Sequence, residues 1–178
     1  MVHDGRLYWF SAGDSRIYLY REDELTRITV DHNYGLELDE MVARGDMSSE
    51  AAKSHPERNH LISYLGSTEL NVTDSNQKPF PLRENDRILL CSDGLYGTLS
   101  EEEITEELDA DPQDAAERLL KKALDKNKKH QDNITILIMG VNPSPRTVQK
   151  KRRVSLARVC AGAGIVAVIG VCGFLIGR

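Results

Sequence analysis

Cysteine is scarce in this sequence, and its three cysteines have no pattern. Cys91 lies in an apolar run, Cys160 and Cys172 lie in a C-terminal apolar stretch, and no two have metal-ligand or redox spacing. This excludes a disulfide framework and points to a reducing compartment for the body of the chain. Cys160 stands beside a basic cluster where acylation is conceivable, but a small apolar residue in a membrane helix is the simpler reading. Internal repeats are absent as well. So is a basic stripe: the first 145 residues hold 16 Lys and Arg against 28 Asp and Glu, net −12. A nucleic-acid groove needs the opposite sign, whereas an acidic body suits divalent cations. With 40% hydrophobic residues the chain is not disordered, and 178 residues can bury a moderate core.

Residues 146 to 178 reverse the charge, with seven Lys and Arg and no acid. Within them, Val159 to Gly177 reads VCAGAGIVAVIGVCGFLIG, an uncharged run long enough to cross about 30 Å of hydrocarbon as a helix. The run lies far from the N-terminus and is not a signal peptide. It predicts a transmembrane helix over 159–177, preceded by a basic juxtamembrane linker over 142–158. The positive-inside rule then puts the body in the cytoplasm, tethered to the membrane. GFLIG at Gly173 to Gly177 fits a small-xxx-small contact, a pattern common by chance.

The body, residues 1–141, alternates in type. RLYWFSAG, RIYLY and TRITV are short aromatic and β-branched runs that predict consecutive antiparallel strands. YGLELDEMVARG and SSEAAKSH have helical spacing and stop at Gly45 and Pro56. DRILLCS is a buried strand, Ser100 with Glu103 forms a capping box, Asp111-Pro112 opens a helix through AAERLLKKAL, and NITILIMGV closes the body as a strand. Strands first, helices between and a strand last make an α+β domain.

Three aspartates sit at strand ends: Asp14 in SAGDSRIYLY, Asp93 in LLCSDGLYG and Asp132 in HQDNITILI. Each alone reads as a turn residue bonding its own backbone. If the strands are neighbours, however, the three converge on one rim, where carboxylates repel unless a cation lies among them. Mg²⁺ and Mn²⁺ take oxygen ligands and keep several waters, so a few carboxylates suffice.

AGDSRIYLY, DHNYGLELDEMVARGDMSSEAAKSHPERNHLISYLGS, NDRILLCSDGLYGTLSEEEI and DNITILIM, in that order, resemble the C-terminal part of the metal-dependent protein serine/threonine phosphatases, the PPM (type 2C) family, in its bacterial branch. The resemblance implies an antiparallel β-sandwich flanked by helices and two Mn²⁺ or Mg²⁺ ions at one rim, with a weaker third. A metal-activated water would then hydrolyse phosphoserine and phosphothreonine on proteins. Carried over by motif, Asp93 and Asp132 are metal ligands and Asp14 ligates the third ion. Asn133 supports the Asp132 loop and Gly94 lets backbone approach the ions. Residues 31–66 match the family's flap, with His55, Arg58 and Asn59 at its most recognisable part. The implied partners are phosphorylated proteins and a Ser/Thr kinase or its substrates.

The family's first half carries a D-G-x-G-G motif that this sequence lacks, so the N-terminal half of the domain is expected to be missing. Asp4-Gly5 is not a substitute, since no further glycines follow and the pair suits a hairpin turn. Two readings follow: a protein phosphatase, or a catalytically incomplete tethered pseudophosphatase that binds or regulates phosphoproteins.

Overall fold

The computed structural model describes residues 1–142 and, beyond them, the backbone of residues 167–170. The chain opens with a hairpin, β1 (Val2–His3) and β2 (Arg6–Leu7), turned by Asp4 and Gly5. Both turn residues have positive φ, 48° and 67°, as a two-residue hairpin loop matched to strand twist requires. Next come β3 (Phe10–Ser11), β4 (Arg16–Arg21) and β5 (Glu24–Arg27). RLYWFSAG is therefore two short strands around a bend, and TRITV leaves its strand after Arg27.

Helices α1 (Gly35–Arg44) and α2 (Ser49–Lys53) follow where periodicity places them. Gly45 ends α1 in the left-handed conformation, φ 82°, and returns N–H bonds to the carbonyls of Met41 and Val42. Short strands β6 (Asp74–Ser75) and β7 (Phe80–Pro81) lead to β8 (Arg87–Cys91). A one-turn helix α3 (Asp93–Tyr96) starts directly from the Asp-Gly pair. It is followed by α4 (Glu101–Thr105), with the full Ser100–Glu103 capping box, and α5 (Pro112–Asp125), capped by Asp111. The body ends on β9 (Ile136–Gly140).

The main sheet runs β9-β8-β4-β5, antiparallel throughout, and β10 (Ala167–Gly170) adds to the β9 edge. These four residues lie inside the run expected to form a transmembrane helix and are strand instead. The run is rich in β-branched residues, a composition that favours a pleated backbone as readily as an apolar helix. The rest of the expected span and the linker lie outside the described residues. Among the described residues, no helix is long and apolar enough to cross a membrane.

Strand alternation divides the core in two. Tyr18, Tyr20, Leu89, Cys91, Ile136 and Ile138 face α3, α4 and α5, burying Leu95, Leu99, Ile104, Leu108 and Leu119 with them. The opposite face, with Ile17, Leu19, Ile88 and Met139, meets, among the described residues, only the small sheet β1-β2-β7 and neighbouring loop residues such as Trp9. The second layer is thus smaller than the expected sandwich. An open groove of about 570 Å³ remains there, lined by Leu7, Trp9, Phe10, Leu90, Leu137 and others. Leu90 is 38% exposed although it sits in a central strand.

Candidate active-site rim

Strand register decides whether the three aspartates meet. Arg16 of β4 pairs with Cys91 of β8, and Cys91 pairs with Ile136 of β9. Asp14 lies two residues before Arg16, Asp93 two after Cys91 and Asp132 four before Ile136, so all three leave the sheet at the same end. The three loops therefore share one end of three adjacent antiparallel strands.

The Asp93 and Asp132 loops are locked together. Ser92 Oγ donates to the Asn133 carbonyl at 2.9 Å and accepts from the Thr135 N–H at 2.9 Å. Gln131 Nε2 donates to the carbonyls of Gly94 and Asp132. A Cβ on Gly94 would stand 2.3 Å from the Asn133 carbonyl oxygen, so only glycine allows this approach. Asp132 accepts from the Asn133 N–H through Oδ1 at 2.7 Å, folding its carboxylate onto its own loop.

Asp14 lies within reach of the Asp93 charge. Burial raises the Asp14 pKa above the ordinary carboxylate value, and the Asp93 charge raises it further. Arg16 does not relieve this, because its guanidinium is committed to Asp31 through two bonds of 2.9 and 2.7 Å. Such oxygen donors suit a hard divalent cation in kind. They do not close on one point: among the described residues, no three His, Cys, Asp or Glu side chains gather closely enough to hold a metal ion.

The flap residues bind within their own segment. Arg58 pairs with Asp39 at 3.0 and 2.9 Å and donates to the Ala52 carbonyl, tying α1 to α2. The His55 ring packs against Tyr34 with centroids 5.4 Å apart, and Asn59 is exposed. Sequence reasoning missed Arg16, Asp31, His32, Ser92, Tyr96 and Gln131, which shape the rim. The first was in plain view, since it completes the same Gly-Asp-Ser-Arg stretch as Asp14.

Residues 46–142 match the family model of stage II sporulation protein E (SpoIIE). The serine/threonine protein phosphatase PstP of Mycobacterium tuberculosis is 36% identical over 137 residues, covering 76% of this chain and 25% of that protein. The serine/threonine phosphatase of S. agalactiae superposes with a TM-score of 0.64 at 28% identity, covering 77% of this chain and 55% of that one. A structure of the PstP catalytic domain in complex with two manganese ions gives a TM-score of 0.56 at 33% identity, covering 78% and 54%. The chain belongs to the SpoIIE/PPM-type serine/threonine phosphatase family. Within that family its relatives are serine/threonine protein phosphatases, and it spans a quarter of the full-length mycobacterial protein and about half of the solved structures.

Proposed function

We propose that this chain is the C-terminal part of a metal-dependent protein phosphatase domain that hydrolyses phosphoserine and phosphothreonine on proteins. The observation that supports this most is the register Arg16–Cys91–Ile136, which sends Asp14, Asp93 and Asp132 out at one end of one sheet. A phosphatase of this class needs hard cations there, and these aspartates are the donors this chain contributes. The remaining donors come from the other half of the domain. Mn²⁺ or Mg²⁺ is the proposed ion, phosphorylated proteins the proposed substrates, and a Ser/Thr kinase or its targets the proposed partners.

That other half also has a place to pack. Among the described residues, the groove floored by Ile88, Leu90, Leu137 and Met139 is an apolar sheet face that is only partly covered, and the Trp9 indole N–H beside it is buried without a partner. A second sheet layer seated there would remove this apolar surface from water.

A second reading, a catalytically incomplete tethered pseudophosphatase that binds or regulates phosphoproteins, is favoured by the lack, among the described residues, of three gathered acidic side chains. The Mn²⁺ affinity of the isolated chain addresses the site directly. Calorimetry should show weak binding that falls further in Asp93→Asn, and slow hydrolysis of p-nitrophenyl phosphate. Equal binding in wild type and variant would remove Asp93 from the site.

A further inference from the structure

Behind the aspartate rim lies a histidine that the chemistry above does not use. His32 is 1% exposed. Its ring Nδ1 accepts from the Gly13 N–H at 3.1 Å, and its own backbone N–H donates to the Gly13 carbonyl at 3.0 Å. Gly13 therefore has both polar backbone groups held by one residue. It needs this hold, because its φ of 115° lies in a region that side chains rarely adopt, and the next residue is Asp14. On the far side the His32 carbonyl accepts from the Ile62 N–H at 3.0 Å, and Asn33 forms a β-bridge with Leu61. His32 thus joins the Asp14 loop to both ends of the segment 31–66.

The neighbouring residue makes a second tie. Asp31 takes the bidentate pair from Arg16, whose third nitrogen donates to the Tyr18 hydroxyl at 3.0 Å. The Arg16 guanidinium lies 3.5 Å from the Tyr96 ring centroid, and the Tyr96 hydroxyl donates to the Asp14 carbonyl at 3.0 Å. Asp14 is gripped on one flank through Gly13 and on the other through its own carbonyl. Both grips trace back to the adjacent pair Asp31 and His32.

We infer that His32, supported by the Asp31–Arg16–Tyr96 chain, is a positioning residue that sets the Asp14 carboxylate against Asp93. The specific device is the bare imidazole Nδ1 accepting from Gly13. The role of Asp14 toward a cation rests on the proposed function, but its placement by His32 does not.

Three measurements on the full chain test this. In the imidazole ¹⁵N spectrum of the wild type, His32 should show an unprotonated Nδ1 and a protonated Nε2; a protonated Nδ1 would overturn the inference without any variant. His32→Phe removes the acceptor, while His32→Asn keeps an oxygen near the Nδ1 position. Gly13 amide exchange should accelerate roughly tenfold in His32→Phe, the scale of one buried hydrogen bond, and return most of the way in His32→Asn. Unchanged Gly13 exchange in a folded His32→Phe, or equal loss in both variants, would refute it. Finally, Mn²⁺ should broaden amides around Asp14 and Asp93 together in wild type and His32→Asn, but those around Asp93 alone in His32→Phe. No broadening in the wild type would count against the metal-site reading and leave the first two results standing as the test of positioning. Identical broadening in all three proteins would refute positioning alone.

Discussion

The single cysteine among the described residues shows how far burial can silence a reactive group. Cys91 is 3% exposed under the helices, and burial pushes its thiol from the ordinary value near 9 up to about 12. Because the folded state holds this proton more tightly than the unfolded chain, its contribution to stability is intact below about pH 9 and is lost progressively as pH rises from there towards 12. Denaturant midpoints should therefore drop above pH 9, and less steeply in Cys91→Ala. Thiol reagents at pH 8 should label Cys91 only after urea is added; rapid labelling of the native chain would contradict its packing. The sequence could not show that Asp31 and His32 reach back to Arg16 and Gly13, because those contacts depend on how the segment 31–66 folds over the rim.

Elements with strong local signals were legible. Helices α1, α2, α4 and α5 stand where periodicity, Gly45, the Ser100–Glu103 box and Asp111-Pro112 put them. α3 escaped because its single turn has no period to detect, and the Asp-Gly turn signal stood in its place. The N-terminal strands were harder, since two-residue strands take their register from distant partners such as β7 rather than from their own sequence. The pair that anchors β4 to β8 was invisible for the same reason. Asp86, 1% exposed just before β8, accepts from Arg21 Nε and Nη2 at 2.9 and 2.7 Å and from the Arg83 N–H at 2.7 Å. Removing one partner of such a pair strands the other, so Asp86→Ala should cost about 3 kcal/mol in urea denaturation. A loss below about 1 kcal/mol would mean that the pair behaves like an exposed one.

At the scale of the whole molecule, one face of the main sheet is sealed by helices and the other, among the described residues, is half open. The rim shows a similar pattern: three aspartate loops leave one sheet end, but among the described residues no three acidic, His or Cys side chains gather around one point. Both features fit a chain that spans about half of the solved structures it resembles. The family was legible in the sequence because its motifs are local. The size of the uncovered face was not, because it depends on which strands become neighbours. The measurement that tests this account most directly is Mn²⁺-dependent phosphatase turnover by a fusion in which the preceding half of a related phosphatase domain is joined in frame before Met1. The account predicts turnover well above that of the unfused chain, abolished by Asp93→Asn in a protein that remains folded. A well-folded fusion with no turnover, or one whose turnover survives Asp93→Asn, would contradict it.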